Sequence, residues 1–208
     1  MSNYGEELAY WYLRLNGFFP ITDFVFHRNE NLKSYADADI LAIRPPNAHE
    51  MIMGEELECS PEIVSSDEIS KFIFVYCEVK TGDYQVTDLF PENRMERIKY
   101  SLRRFGLDPE TTITNPVTNI ENLLSCTENV FFKKVLIANE KKIGVDEKAL
   151  FIYLNSTILF ICNRFKKYDA NKYGSRMFFD SSLTQLLIHL VHNSSLVKDI
   201  NNLVNPPR

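Results

Sequence analysis

Hydrophobic and polar residues alternate along the chain with two different periods, and each period predicts its own elements. Residues 5–16, with the sequence GEELAYWYLRLN, have the spacing of an amphipathic helix, with Ser2 or Asn3 as N-cap and Gly17 as stop signal. Three further runs have the composition of strands: residues 18–26, 36–43 and 71–80. The last of these is almost continuously apolar, as expected of a strand that is covered on both faces.

The same reasoning extends through the rest of the chain. An amphipathic helix is predicted at residues 92–105, with its apolar stripe at Met95, Ile98, Leu102 and Phe105. Strands are predicted at 129–138 and 149–154, and helices from Asn155 or Ser156 to about Tyr168 and from Ser181 or Ser182 to about His192. Because a helix separates the third and fourth strands, these two can lie parallel in one sheet.

The fold class that follows is α/β, a single domain with a mixed central sheet flanked by helices. Its core order is αβββαβ, followed by C-terminal helices. Residues 1–140 form the predicted core, and residues 141–208 add a strand and helices that pack on the same domain. Within the core, residues 47–70 contain seven acidic residues and no lysine or arginine, which predicts an inserted, mobile acidic loop.

Composition narrows the classes of protein further. The apolar content of 45% includes no run long enough to span a bilayer and no signal-peptide pattern, so we expect a cytoplasmic protein without membrane contact. The four cysteines are scattered without a CxxC pair, which argues against a zinc site or disulfide framework. The net charge is −5, but the chain outside residues 47–70 contains all 23 basic residues and only 21 of the 28 acidic ones. Local basic patches could therefore still steer a phosphate backbone.

The clearest chemical signal is the pair Glu78 and Lys80 at the end of the apolar run 71–80. Buried ionisable groups are costly unless they are paired or bind a metal. Alternation places Glu78 and Lys80 on one face of their strand, and Asp37 and Asp39 on one face of the preceding strand. If the strands are neighbours, clustered carboxylates would bind Mg²⁺ or Mn²⁺, and the lysine would handle a metal-bound water.

Each of these residues also has a simpler interpretation. Glu78 and Lys80 could form a structural ion pair, and the Asp39 side chain could stabilise a turn or act as a cap. Asp37 could be a second ligand or a solvated charge. Glu6 lies on the packing face of the first helix, yet the helix dipole favours glutamate there without any function, and Glu7 is expected to face water.

The ordered set of motifs resembles a known family. The segments GEELAYWYLRLNGF (5–18), DADILAI (37–43) and VYCEVKTG (75–82) resemble the PD-(D/E)XK nuclease superfamily of restriction-endonuclease-like proteins. They are similar to the pattern of its YraN-like and Holliday-junction-resolvase-like branches. The resemblance covers roughly the first half of the chain. In two departures, Ala38 stands where many members have proline, and Asp37 where YraN-like sequences have glutamate.

This resemblance implies a metal-dependent phosphodiesterase. Asp39 and Glu78 would hold Mg²⁺ (or Mn²⁺), Lys80 would position the attacking water, and Glu6 would support the metal or the lysine. The implied partner is nucleic acid, most often DNA. Because many such nucleases pair to cut both strands, a homodimer is compatible with the resemblance.

Basic side chains supply the candidate nucleic-acid contacts. Arg94, Arg97 and Arg104 lie on one flank of the helix at 92–105, spaced to follow phosphates, although such flanks are often simply solvated. A second basic cluster consists of Arg164, Lys166, Lys167, Lys172 and Arg176. Tyr168, Tyr173 and Phe178 lie among these residues and could stack on unpaired bases, although aromatic residues at such spacing more often belong to a core.

The sequence thus favours a Mg²⁺-dependent DNA endonuclease. Its chief alternative is a nucleic-acid-binding or defence-associated protein that keeps the nuclease fold without cleaving. A purely structural or interaction protein is the third interpretation.

Overall fold

The computed structural model of the chain describes residues 3–26, 36–52, 55–90, 95–107, 123–127, 130–145, 149–171 and 181–192. The strands are β1 Phe19–Phe26, β2 Ala36–Arg44, β3 Glu50–Ile52, β4 Glu55–Leu57, β5 Phe72–Lys80, β6 Leu123–Thr127, β7 Val130–Ala138 and β8 Leu150–Tyr153. The α-helices are α1 Tyr4–Leu15, α2 Met95–Arg104, α3 Leu154–Asn171 and α4 Ser182–His192, and a 3₁₀ turn spans Val86–Asp88. Every element predicted from the sequence is present, with bounds that differ by a few residues.

Both ends of α1 follow the signals in the sequence. The Asn3 side chain accepts the backbone N–H groups of Gly5 and Glu6, and the Glu6 carboxylate accepts the backbone N–H of Asn3, which completes a capping box. Gly17 has a φ of 83°, in the left-handed region that favours glycine, and its N–H bonds to the carbonyl of Arg14. The helix therefore begins and ends where local chemistry satisfies its free backbone groups.

The central sheet has the strand order β1-β2-β5-β7-β6. Strand β6 pairs with residues 130–133 of β7, and β8 pairs with residues 135–138 of the same strand. The β1/β2 and β2/β5 pairs are antiparallel, whereas β5/β7 and β7/β8 are parallel. This confirms the predicted α/β fold with a mixed sheet in one domain, including the parallel pairing of the third and fourth predicted strands. The sequence did not predict β6 or the separate β3/β4 hairpin.

Two apolar layers cover the sheet, one on each face. On the first face, α1 and α3 pack over residues that include Ile40, Cys77 and Val79. The second face carries α2 and the segment between β5 and α2, packed over a cluster that includes Tyr76 and Leu136. Since side chains alternate along β5, Glu78 and Lys80 point to the same face as Tyr76, the second one. In the described part of the chain, no helix has the length and apolarity needed to cross a membrane.

The described residues of the acidic stretch 47–70 pack against the core and include two short strands, so the stretch is more ordered in structure than a simple loop, and its mobility stays a prediction. It contains the β3/β4 hairpin, and Ile63 and Val64 are buried within the first layer. The high density of acidic residues concealed these few apolar positions in the sequence. Burial of such side chains is enough to fix a short segment, because each contributes about 1.5–3 kcal/mol.

Arg44 joins the acidic stretch to the core. Its side chain is 1% exposed and donates to three backbone carbonyls, those of Asn16 (3.2 Å), Ile69 (3.1 Å) and Ala48 (2.5 Å). The Asn16 side chain in turn accepts the backbone N–H of Ser60 at 2.6 Å. The end of α1, the end of β2 and the acidic stretch are thus held together by buried polar groups that all have partners.

A buried ion pair makes a second connection between this stretch and the sheet. The Lys133 amine of β7 lies 2.6 Å from the Glu68 carboxylate, and the two side chains are 5% and 4% exposed. Lys133 also donates to the carbonyl of Ile63 at 2.8 Å. Burial lowers the pKa of Lys133, and the Glu68 carboxylate opposes that change. Each charge therefore depends on the other for its compensation.

We expect Glu68→Ala to lower the free energy of unfolding by roughly 3–5 kcal/mol, because it leaves the Lys133 charge buried without its partner. The double variant Glu68→Leu/Lys133→Met should be much less destabilised. Urea unfolding of both variants measures this difference. The exposed pair His49–Glu56 offers a control, since Glu56→Gln should change stability by less than about 1 kcal/mol. Equal losses in the Glu68 and Glu56 variants would contradict the interpretation.

Candidate active site

Asp39, Glu78 and Lys80 meet where β2 and β5 separate. The paired register of the two strands ends at Ile40 and Cys77. Beyond that point the Asp39 side chain accepts the backbone N–H of Val79 at 2.7 Å, in place of the next backbone bond. The Lys80 amine lies 3.7 Å from Asp39 Oδ2 and 3.5 Å from Glu78 Oε2. Three of the four residues that the sequence singled out on these strands, Asp39, Glu78 and Lys80, therefore share one site.

The site opens toward solvent on one side. The exposed fraction of the side chain rises from 11% for Glu78 to 21% for Asp39 and 34% for Lys80. Glu78 thus forms the buried floor, and the lysine lies at the mouth. A ligand that enters from solvent would meet the amine first and the carboxylates behind it.

Burial raises the pKa of Glu78, the Lys80 amine opposes this change, and the Asp39 carboxylate adds to it. A backbone hydrogen bond from Phe90 further favours the ionised form. Phe90 has a φ of 42°, a left-handed conformation that is unusual for a bulky residue, and its ring packs edge-on against Tyr76 at 5.5 Å. The backbone at Phe90 is therefore held in a conformation that presents an N–H to Glu78.

Hydrogen bonds between two loops fix the end of β5. Tyr84 donates its hydroxyl to the carbonyl of Glu140 at 2.9 Å, and Asn139 donates its side-chain amide to the carbonyl of Thr81 at 2.7 Å. The Lys142 amine pairs with the Asp83 carboxylate and donates to the carbonyl of Tyr84 at 2.5 Å. Since these loops follow β5 and β7, the backbone just after Lys80 is tied to the neighbouring strand.

Glu6 has a role at the start of α1. Its carboxylate accepts both the backbone N–H and the side-chain amide of Asn3, at 3.2 and 2.5 Å. This helix packs on the face of the sheet opposite to Glu78 and Lys80, although Gly5 at its start lies against Val79 and Thr81. These contacts give Glu6 a structural role at the start of the helix, where the dipole also favours an acidic side chain. Its assistance to a metal or to Lys80 stays a prediction.

Glu7, predicted to face water, is instead partly buried. Its Oε1 atom is inaccessible to solvent and has no hydrogen-bond partner among the described residues. Helical spacing did not reveal this, because the positions around the helix are covered by elements distant in sequence.

The predicted phosphate contacts on α2 are described only in part. Arg94 lies outside the described residues, and Arg97 belongs to α2 but its side chain is not among those described. Arg104 is exposed, with its guanidinium 5.9 Å from the centre of the Phe24 ring. Asp37 pairs with Val25 in the sheet register, and its side chain also lies outside the described set. The arginine track along α2 stays a prediction.

The second basic cluster is divided by the structure. Arg164 is buried and bonds to the Glu50 carboxylate at 3.2 Å and to the Glu58 carbonyl at 2.7 Å. The Tyr168 hydroxyl also bonds to the Glu50 carboxylate. Both residues therefore anchor the acidic stretch to α3, and their prediction as nucleic-acid contacts was wrong. Lys172, Tyr173, Arg176 and Phe178 lie outside the described residues.

The donor set of the site fits a hard divalent cation. Mg²⁺ is commonly bound by one or two carboxylates, with water and substrate phosphate completing its octahedral shell. Asp39 uses one oxygen for Val79, and a carboxylate has about four lone-pair positions, so both acids keep capacity for a ligand. Within the described ranges, no group of three or more His, Cys, Asp and Glu side chains is arranged to hold a metal. Asp39 and Glu78 by themselves would supply only part of the six ligands of an octahedral shell.

The raised pKa of Glu78 makes a prediction about metal-free stability. An acid whose pKa is higher in the folded state binds its proton more tightly there. The free energy of unfolding therefore falls as the pH rises from the pKa of the unfolded state to the pKa of the folded state. In EDTA at pH 7, Glu78→Gln should melt above the wild type, and the difference should vanish below about pH 4, where the unfolded carboxyl is also protonated. Thermal melts across that pH range measure the effect, with the exposed Glu55→Gln as control. A lower melting temperature for Glu78→Gln at pH 7 would contradict it.

Comparison of the chain with protein-family models, with characterised proteins and with solved structures found no match. The likeness to the PD-(D/E)XK superfamily therefore depends on the motifs quoted from the sequence.

Proposed function

We propose that this protein is a metal-dependent nucleic-acid phosphodiesterase, a DNA endonuclease in which Asp39 and Glu78 bind Mg²⁺ or Mn²⁺. The observation that carries the proposal is the position of the Lys80 amine, 3.5 Å from Glu78 and 3.7 Å from Asp39 at the end of a buried strand. Two acids and one amine in this arrangement match the chemistry that phosphodiester hydrolysis requires.

The chain contains an internal standard for a structural ion pair. The Lys133 amine lies 2.6 Å from its acid, and its side chain is 5% exposed. The Lys80 amine is 34% exposed and lies beyond the 2.7–2.9 Å typical of a charge-assisted hydrogen bond to either acid. A loose, half-open arrangement contributes little to stability, so its retention in a buried strand favours a functional role.

Each residue has a separate task in the proposed reaction. The backbone N–H groups of Val79 and Phe90 orient the two carboxylates, and Glu78 and Asp39 then present their remaining oxygens to the cation. A bound divalent ion would supply Lewis-acid activation of the phosphate and would acidify a water molecule. Lys80, at the mouth of the site, would donate hydrogen bonds to the attacking water and to the phosphate oxygens on which negative charge develops.

The choice of DNA as substrate, the pairing of two copies and a cytoplasmic location are parts of the same proposal. DNA and dimerisation follow from the family resemblance. Cys59, Cys77 and Cys162 are free thiols, which supports a reducing compartment. The exposed Arg104, whose guanidinium lies over the Phe24 ring, is part of the proposal as a contact to the phosphate backbone.

Lys80→Ala should reduce Mg²⁺-dependent nicking of plasmid DNA by about 100- to 10,000-fold, the range for loss of a group that assists proton transfer. Initial rates with Mg²⁺ and with EDTA measure the effect. Lys71→Ala, which removes an amine directly before the opposite end of β5, should retain wild-type activity. If wild type and Lys80→Ala show equal, negligible cleavage of duplex, branched and single-stranded substrates, the proposal fails.

Asp39→Asn should abolish Mg²⁺-induced stabilisation while preserving the metal-free fold, because asparagine keeps an oxygen that can accept the N–H of Val79. Wild type should gain about 2.7 kcal/mol at a hundredfold excess of Mg²⁺ over Kd. Thermal melts with and without Mg²⁺ test this. The exposed Asp67→Asn should respond to Mg²⁺ like the wild type, and retention of the response by Asp39→Asn would remove Asp39 from the metal site.

A non-cleaving nucleic-acid-binding protein is the second candidate. It is favoured by the absence of a third acidic ligand among the described residues and by the capping contacts of Glu6. Calorimetric Mg²⁺ binding without turnover on any of the three substrate types would support this alternative over the endonuclease.

A further inference from the structure

A row of three residues crosses the sheet from the candidate site to its far edge. In the strand register, Lys80 of β5 is paired with Ala138 of β7, and Ala138 is paired with Tyr153 of β8. Neighbouring strands lie 4.7–4.9 Å apart, so the backbones of Lys80 and Tyr153 are separated by about 10 Å. Ala138 between them has only a methyl side chain, so it projects little above the sheet.

All three residues project from the same face of the sheet. Ala138 and Phe151 pack with the layer that includes Tyr76, and Lys80 follows Tyr76 at an even spacing. Tyr153 follows Phe151 by two positions, so it projects to this face as well. An aromatic ring therefore lies on the same face, and at the same end of the sheet, as Glu78 and Lys80.

The Tyr153 ring is open to solvent but has a firm support. Tyr153 is 46% exposed, and its ring packs edge-on against the Phe151 ring, with 4.8 Å between the ring centres. The Lys141 amine lies 5.9 Å from the centre of the Phe151 ring. We name Lys141, Phe151 and Tyr153 the β8 ledge. It combines a buttressed aromatic ring with a nearby cation.

Charge favours an anionic ligand at the β8 ledge. Helix α3 starts at Leu154, directly after Tyr153, and has no acidic residue in its first turn. The positive end of its dipole is therefore beside the exposed ring, in addition to the Lys141 amine. An aromatic surface with positive charge around it is the combination that proteins use to hold a nucleotide, whose base stacks while its phosphate is neutralised.

We propose that the β8 ledge binds an unpaired nucleotide next to the phosphodiester held at Asp39 and Glu78, with its base stacked on Tyr153. This inference rests on the proposed function and names its substrate class, a nucleic acid with a single-stranded segment at the cleavage position. The face of a base can stack on a side chain only when the base has left its own stack. In a continuous duplex the base faces are covered, so the ledge discriminates in favour of unpaired strands.

The test compares binding of a fluorescently labelled single-stranded oligonucleotide with binding of the duplex of the same sequence. Anisotropy titrations in EDTA, at one fixed salt concentration, give both dissociation constants without cleavage. Tyr153→Ala should weaken single-strand binding by about tenfold to a hundredfold, as measured for loss of one stacking residue, and should leave duplex binding unchanged. Tyr153→Phe keeps the ring and should bind like the wild type.

Phe19→Ala is the matched control. Phe19 is 65% exposed and lies at the opposite end of the sheet, paired with Ile43, so its loss should not affect binding. Thermal melts confirm that each variant is folded. The inference is overturned if Tyr153→Ala binds single strands as tightly as Phe19→Ala does, or if it loses equal affinity for single strand and duplex.

Cleavage kinetics separate the ledge from the proposed reaction. If Tyr153→Ala raises KM for the single-stranded substrate while kcat stays near the wild-type value, both proposals stand. If no substrate is cleaved but single-strand affinity still depends on Tyr153, the ledge stands and the phosphodiesterase proposal fails. If cleavage occurs and neither KM nor affinity responds to Tyr153→Ala, the ledge fails and the phosphodiesterase proposal stands.

Discussion

The cost of burying charge organises this structure. An isolated charge in a protein interior is disfavoured by several kcal/mol, so each buried ionic group must find its own compensation. Arg44 donates to three backbone carbonyls, and Lys133 pairs with Glu68 in contact with a further carbonyl. At the end of β5, the Lys80 amine lies 3.5 and 3.7 Å from two carboxylates, farther than the 2.6 Å that separates Lys133 from Glu68. The first two arrangements are closed, whereas the third is open and could accept a ligand.

The two closed arrangements explain why the acidic stretch 47–70 belongs to the core. Its charges are mostly exposed, but Glu68 points inward to Lys133, and its backbone accepts bonds from Arg44. Glu50 in the same stretch bonds to Arg164 of α3. The stretch therefore ties β2, β7 and α3 together at the end of the sheet away from Asp39. Under the proposed function, this position keeps its net negative charge away from the phosphates of a bound nucleic acid.

Backbone geometry creates the open site. The ladder between β2 and β5 ends at Ile40 and Cys77, and the Asp39 side chain then bonds to the backbone of Val79. This brings a carboxylate into the gap between two strands and aims it toward Lys80. The Tyr84 hydroxyl donates to the Glu140 carbonyl and accepts the backbone N–H of Lys142, which ties the same end of β5 to the loop after β7. The candidate site, like the β8 ledge, is thus positioned by the sheet and by loops anchored to it.

The sequence by itself determined the helices, most of the strands and the set of Asp39, Glu78 and Lys80. These depend on local periodicity, on caps such as Asn3 and on charges placed in an apolar run, all of which are visible along the chain. The packing of the acidic stretch, the burial of Arg164 and the row that leads from Lys80 to Tyr153 were decided only by tertiary structure. Each of these joins residues far apart in sequence, and no local pattern records which strands become neighbours or which charge meets its partner.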